Sequence, residues 1–166
     1  ARGAQHERLA AMFGEINVSG KRMLALVNDL LDVAKIESNP DALQLARGDL
    51  RPIMYAVTDE LAPLMLKREI TLESQLPAAP LMATVDALRF QQVLRNILAN
   101  AIKFSPIAGR VILKAEGTRG GGVHLSVSDQ GPGIPAAEIE SIFEPFVQSS
   151  VTKDGSGGTG LGLSIC

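Results

Sequence analysis

Asn96-Ile97-Leu98-Ala99-Asn100-Ala101-Ile102-Lys103-Phe104 is the stretch on which the reading of this chain turns. It closes a helical pattern from Ala87 to Phe104, and Asp86 just ahead of it is suited to cap the first turn. Val93, Leu94, Ile97, Leu98, Ala101 and Ile102 form its expected buried face. Gln92, Asn96, Asn100 and Lys103 recur at spacings of four, four and three, so they share the opposite stripe. Alone, that stripe would read as a solvated polar face. Two later stretches change the reading: Asp129-Gln130-Gly131-Pro132-Gly133-Ile134 and Gly158-Thr159-Gly160-Leu161-Gly162-Leu163-Ser164-Ile165.

Each stretch suits one part of a nucleotide triphosphate. An amide carbonyl is a hard, neutral oxygen ligand, and magnesium takes most of its other ligands from water and phosphates. Lys103 adds a point charge for those phosphates. Asp129, at the end of an expected strand, can accept from the exocyclic amine of adenine, and would face a carbonyl on guanine. Gly131 and Gly133 let backbone approach the base plane, with Ile134 as an apolar wall. Gly158, Gly160 and Gly162 resemble a phosphate-cradling loop that runs into a short helix. A dinucleotide-binding fold would need a strand just before them. The polar run Ser149–Gly157 stands there instead. A calcium loop at Asp129 lacks the acidic ligands at its third, fifth and twelfth positions. The three stretches together read as an ATP-binding domain.

Composition agrees. Apolar residues make up 46% of 166, enough for a core, while aromatics are only 4%, so Leu, Ile, Val, Ala and Met must build it. A net charge of −2 and no basic stripe with interleaved aromatics exclude nucleic acid as the expected partner. Cys166 is the single cysteine, so no intrachain disulfide forms, which suits a reducing, cytoplasmic compartment. No apolar run reaches the roughly 18 residues of a membrane span. The first residues are polar, unlike a signal peptide, so any membrane anchor is expected outside this stretch.

Residues 5 to 37 read as one long helix. Leu9, Phe13, Ile16, Gly20, Met23, Val27, Leu30 and Ala34 make a heptad seam, and Leu24, Leu26, Leu31 and Val33 widen it into the face of a helix bundle. Ser38-Asn39-Pro40-Asp41 ends it. Beyond lie an expected short strand at Ala42–Leu45 and a helix from Leu50 to Lys67 with Pro63 inside it. A strand at Ile70–Leu76 and adjacent strands at Val111–Glu116 and Val123–Ser128 follow. Short helices are expected near Ala136–Phe143 and from Gly160 onward. The pattern predicts an α+β fold, a two-layer sandwich with helices on one face of a mixed sheet, preceded by the long bundle-forming helix.

The order and wording of these segments resemble the catalytic domain of sensor histidine kinases, within the GHKL group of ATPases. Asn96–Phe104 resembles the family's N box and Asp129–Ile134 its first glycine box. Ile142-Phe143-Glu144-Pro145-Phe146 matches the F box, and Gly158–Ile165 the second glycine box. Val27–Glu37 is similar to the end of the second dimerisation helix, so the resemblance spans nearly the whole chain. It implies residues 1–39 as that helix and 40–166 as the catalytic domain. It further implies Asn100 as magnesium ligand with Asn96 nearby, and Lys103 and Phe104 at the nucleotide. Asp129, Gly131, Gly133 and Ile134 would lie at the adenine, and Thr159, Gly160, Leu161, Gly162 and Leu163 at the phosphates. By its own sequence Lys153, in the polar run that looks like a lid, is suited either to reach the γ-phosphate or to stand as a solvated loop lysine. Phe143 and Phe146 would anchor that region, and by periodicity alone they serve equally as core residues.

The implied activity is transfer of the ATP γ-phosphate to a histidine and on to a response-regulator aspartate, in a homodimer formed through the N-terminal helix. Hydrolytic members carry a Glu where this chain has Asn96. An amide cannot take up a proton, so transfer to another nucleophile fits better than hydrolysis. A nucleotide-binding module without kinase activity is the remaining alternative. His6 is followed by Glu7 and Arg8 but has Ala11 where the family's acceptor segment has proline, and His124 falls on an expected strand. The acceptor helix is therefore expected upstream of this stretch, and the last catalytic helix and strands downstream of it.

Overall fold

The structure, a computed structural model, describes residues 43–152 and 159–166, and positions 12–14, 16, 17, 19, 20, 23, 24, 27 and 31 of a helix near the N-terminus. It divides into two compact units, with the N-terminal helix in one and Asp41–Ser164 in the other.

At the described positions of the N-terminal helix the side chains are exposed, among them the seam residues Phe13, Ile16, Met23 and Val27 and the flanking Leu24 and Leu31. The remaining seam positions, Leu9, Leu30 and Ala34, lie outside the described residues.

The second unit begins with β1 (Ala46–Asp49), α1 (Arg51–Lys67), β2 (Thr71–Gln75) and β3 (Met82–Val85). It continues through α2 (Ala87–Phe104), β4 (Arg110–Gly117) and β5 (Val123–Ser128). β1 and β3 pair antiparallel. In the second sheet β4 is central, parallel to β2 and antiparallel to β5. This is the mixed sheet that the sequence predicts, with α1 and α2 packed beside each other on it.

The core joins Met54, Val57 and Leu61 of α1 with Leu94, Leu98, Ala101 and Ile102 of α2 and Val111, Leu113 and Ala115 of β4. Burying each large side chain contributes roughly 1.5–3 kcal/mol, which makes this seam the main support of the helix pair. Val93 and Ile97, expected in the buried face, are only half-buried, so the apolar stripe of α2 is narrower than its sequence implies.

Each helix end has an identifiable cause. Asp86 caps α2, its Oδ1 accepting from the amides of Leu88 and Arg89 at 3.0 and 3.1 Å. α1 has no side-chain cap of its own, and Pro52 sits in its first turn. The corner before it is held by Asp49, whose Oδ1 accepts from the amides of Arg51 and Leu81 at 3.2 and 3.0 Å. Its carboxylate also takes the Arg51 guanidinium at 2.7 Å. The hydrogen bonds from Arg51 lower the Asp49 pKa to about 2. Pro63 lies inside α1, which continues through it to Lys67. At its far end Glu69 takes a left-handed φ of 57°. There Glu69 N donates to Leu66 O at 3.2 Å and Ile70 N to Met65 O at 2.9 Å, the two bonds of a Schellman motif.

Three expectations are corrected. Residues 43–45 are irregular and exposed, and the strand starts at Ala46, because the Gln44 amide bonds the Asp86 carboxylate at 2.9 Å instead of joining a ladder. The stretch after Gly160 is a turn and not a helix, since the Cys166 amide folds back to Leu163 O at 3.1 Å. Finally, the polar run from Ser149 does not begin as a loose segment. Ser149 is buried and donates to Glu138 Oε2 at 2.6 Å, the Ser150 amide reaches the same oxygen at 3.1 Å, and the Ser150 hydroxyl donates to Oε1. Ala136–Phe143 forms two short 3-10 helices, Ala136–Glu138 and Ser141–Phe143.

Candidate nucleotide site

α2 is the spine of the site. Its polar stripe, Gln92, Asn96, Asn100 and Lys103, stands half-buried, as does Phe104 at its end. Asn96 Nδ2 donates to Gly162 O at 2.9 Å, which ties the helix directly to the second glycine loop. The same carbonyl accepts from Cys166 Sγ at 3.3 Å. Burial pushes the Cys166 thiol pKa up, and its hydrogen bond with Asn96 partly opposes that.

The glycine loop is seated by packing. Leu161 is only 1% exposed, and the Leu161 amide donates to Thr159 Oγ1 at 3.2 Å. Gly160 has φ +75°, a conformation that side chains rarely adopt. Its carbonyl accepts from the Phe146 amide at 3.0 Å, so the F box and the glycine loop share a backbone bond. Phe146 itself has a positive φ of 66°. The rings of Phe143 and Phe146 are exposed, so neither is a core residue.

At the C-terminal end of α2 the first glycine loop packs on the helix terminus. Asp129 Oδ1 accepts from the Gly131 amide at 2.7 Å. A Cβ on Gly131 would stand 3.0 Å from Phe104 O and 2.7 Å from Asp129 Oδ1, so this backbone lies tight against the helix end. Gly133 has φ +73°, and Ile134 is exposed beside it. Lys103 Nζ sits 4.8 Å from the centre of the Phe104 ring, a cation–π contact. Asn100 and Lys103 also line a cleft of about 270 Å³ with Leu64, Lys67, Arg68 and Ala99.

The structure thus brings Asn96, at the middle of α2, to Gly162, and Phe104, at its C-terminal end, to Asp129 and Gly131, while Asn100 and Lys103 line the cleft toward α1. Lys153 lies outside the described residues. Three contributors had no sequence signal of their own. Gln130 Oε1 accepts from the Arg110 amide at 2.7 Å and fixes the first loop to the start of β4. Glu138 gathers the two serines described above. Arg68 grips the end of α2, with Nε donating to Ile102 O at 3.0 Å and Nη2 to Ser105 O at 2.8 Å. Among the described residues no group of three His, Cys, Asp or Glu could hold a metal ion. No helix among them is long and apolar enough to cross a membrane.

Comparison with known proteins identifies the family and the fold. Residues 85–166 match the family described as histidine kinase-, DNA gyrase B-, and HSP90-like ATPase. The sensor histidine kinase RcsC of Salmonella typhimurium is 35% identical over 153 residues, which is 91% of this chain and 16% of that protein's length. Full-length ShkA, solved in complex with AMPPNP, superimposes with a TM-score of 0.75 at 35% identity, covering 89% of this chain and 30% of that one. The catalytic domain of the histidine kinase ThkA gives a TM-score of 0.65 at 32% identity, covering 74% of this chain and 77% of that domain. ThkA is also solved in complex with the response regulator protein TrrA. With its nucleotide helix, its two glycine loops and these relatives, the chain belongs to the histidine kinase-, DNA gyrase B- and HSP90-like ATPases, as a catalytic domain of the sensor histidine kinase kind.

Proposed function

We propose that this domain binds Mg-ATP along α2 and, within a longer protein, directs the γ-phosphoryl group to a histidine and then to a response-regulator aspartate. The observation that carries the reading is the bond from Asn96 to Gly162. It joins the middle of α2 to the second glycine loop, while Asp129 and Gly131 meet Phe104 at the C-terminal end. The base belongs at Asp129, with Gly133 and Ile134 beside it. The phosphates belong at Gly160, Leu161, Gly162 and Leu163, with Thr159, Lys103 and Lys153 as further donors.

Asn100 would hold the magnesium ion. One neutral oxygen fits a cation whose remaining ligands are phosphates and water, and no carboxylate cage among the described residues competes for it. Bound there, magnesium would neutralise phosphate charge in the transfer. Asn96 already uses its amide as a donor to Gly162, and an amide has no basic site, so it does not activate water. That favours transfer to a protein nucleophile over hydrolysis.

Residues 1–39 then read as the second helix of a dimerisation domain and 40–166 as the catalytic part. The exposed Phe13, Ile16, Met23, Leu24, Val27 and Leu31 support a homodimer through this helix, because such a face is stable in water only when a partner covers it. A response-regulator receiver domain is the proposed acceptor, in line with the pairing of ThkA with TrrA. Neither His6 nor His124 sits in an acceptor-like segment, so the phosphorylated histidine belongs to another segment.

Calorimetry tests the site. Asn100→Ala should weaken Mg-ATP far more than adenosine, and Asp129→Ala should weaken both. Unchanged Mg-ATP affinity in both variants would refute the assignment. Incubation with radiolabelled ATP tests the chemistry: this chain alone should stay unlabelled, and stoichiometric acid-labile phosphate on His6 would make His6 the acceptor.

A further inference from the structure

The base end of the site depends on a side chain that belongs to neither glycine loop nor to α2. Arg68 is the residue that ends α1, its backbone amide bonding Leu64 O and Met65 O, both at 3.2 Å. The left-handed turn at Glu69 then reverses the chain, and this fixes where the Arg68 side chain starts. Its guanidinium reaches across to the end of α2, where it donates to Ile102 O at 3.0 Å and Ser105 O at 2.8 Å. Ile102 O is among the last carbonyls of a helix, which lack a donor within the helix. Ser105 is the cap residue and only 1% exposed. A cation here also complements the negative end of the helix dipole. The Arg68 carbonyl accepts from the Ala108 amide at 3.1 Å, so this one residue holds the segment 102–108 at three points.

Lys103 and Phe104 lie between the two gripped carbonyls. Phe104 O is the atom against which Gly131 packs, 3.0 Å from where a Cβ would stand, and the Gly131 amide holds Asp129 Oδ1 at 2.7 Å. A continuous chain of contacts therefore runs from Arg68 through the α2 terminus to the carboxylate assigned to the base. The bond from Asn96 to Gly162 lies roughly two turns away along α2 and shares none of these contacts.

We propose that Arg68 is a positioning residue for the adenine end of the site, setting the pose of Phe104 and the first glycine loop without touching the nucleotide. The inference rests on the ATP-site reading given above. It separates from that reading because its first consequence is visible without nucleotide. The guanidinium fork makes two charge-assisted bonds in fixed geometry, and a lysine ammonium can reach only one of the carbonyls well.

The test uses the whole chain with Arg68→Ala and Arg68→Lys, at temperatures well below unfolding. In nucleotide-free protein, Arg68→Ala should shift the amide resonances of Phe104 and Gly131 and speed their hydrogen exchange, while the Gly162 amide stays in place. Calorimetry should show the adenosine dissociation constant raised about tenfold. Arg68→Lys should fall between parent and alanine. Unmoved Phe104 and Gly131 amides, or an unchanged adenosine dissociation constant, in folded Arg68→Ala protein would overturn the proposal. If Arg68→Ala does not fold, Arg68→Lys carries the same comparison. If the parent binds no adenosine, the ATP reading fails, and the Gly131 resonance still decides the coupling.

Discussion

The carbonyl of Gly160 accepts from the amide of Phe146 at 3.0 Å, and a Cβ added to Gly160 would stand 2.7 Å from the Phe146 carbonyl carbon. The F box and the second glycine loop are thus locked backbone to backbone, with no flexible side chain between them to yield. Gly160→Ala is expected to lower stability by about 2 kcal/mol, from a left-handed alanine and a backbone clash together. It should also weaken Mg-ATP at least about tenfold by displacing the loop. Gly162→Ala is the control: the nearest atom to its Cβ would be Asn96 Cγ at 3.9 Å, an ordinary contact. Denaturant unfolding of both variants checks the contrast, and equal destabilisation would remove the interlock.

Replacing Asn96 by aspartate keeps the shape and removes the donor. Two acceptors would then face each other across the 2.9 Å now bridged to Gly162 O. Asn96→Asp should cost about 1–3 kcal/mol and loosen the second glycine loop. The check is faster hydrogen exchange at Leu161 and Gly162, with Gly131 unaffected.

Glu69 occupies, at φ 57°, the position in its Schellman turn where glycine carries no Cβ penalty. Glu69→Gly relieves that strain and pays back part of the gain in chain entropy, for a net stabilisation of about 0.5–1 kcal/mol. Urea unfolding should show a higher midpoint with unchanged slope.

Asp49 gives the acid response. Its pKa falls from 3.8 to about 2 in the folded state, first through the Arg51 side-chain bond. A depressed carboxylate stabilises the fold fully above the unfolded value, and that contribution is lost as pH falls from 3.8 through about 2. The carboxyl carbon resonance of Asp49 should therefore titrate well below those of exposed aspartates. Arg51→Gln should return it toward the ordinary range.

How much of this was legible in the sequence depended on how local its cause is. α2 could be read to the residue, because its cap Asp86 and its apolar period lie within its own span. β4 and β5 were read nearly to their bounds from apolar runs flanking a glycine-rich turn. β3 had no such signal: four residues after a proline-rich run become a strand only because β1 pairs with them. The same applies at the site. Residue types named Asn96, Asp129 and the glycines as ligands of one nucleotide. The interlock of Gly160 with Phe146, and the reach of Arg68 to Ile102 and Ser105, are long-range contacts that no spacing rule encodes.

The parallel pairing of β2 with β4 carries a consequence for how the chain reaches its folded form. Thr71 pairs with Arg110 and Gln75 with Lys114, so β3 and the whole of α2 lie inside the crossover between the two strands. The β4–β5 hairpin closes over a short turn and can assemble early, whereas the parallel pair must first pay the closure entropy of that long connection. The helix that carries the site can dock only as this crossover closes. On an emerging nascent chain, competence for nucleotide would then have to wait for this closure and for the later emergence of Asp129 and the Gly160–Gly162 loop. A ligand present during synthesis would trap the closed topology rather than hasten its formation.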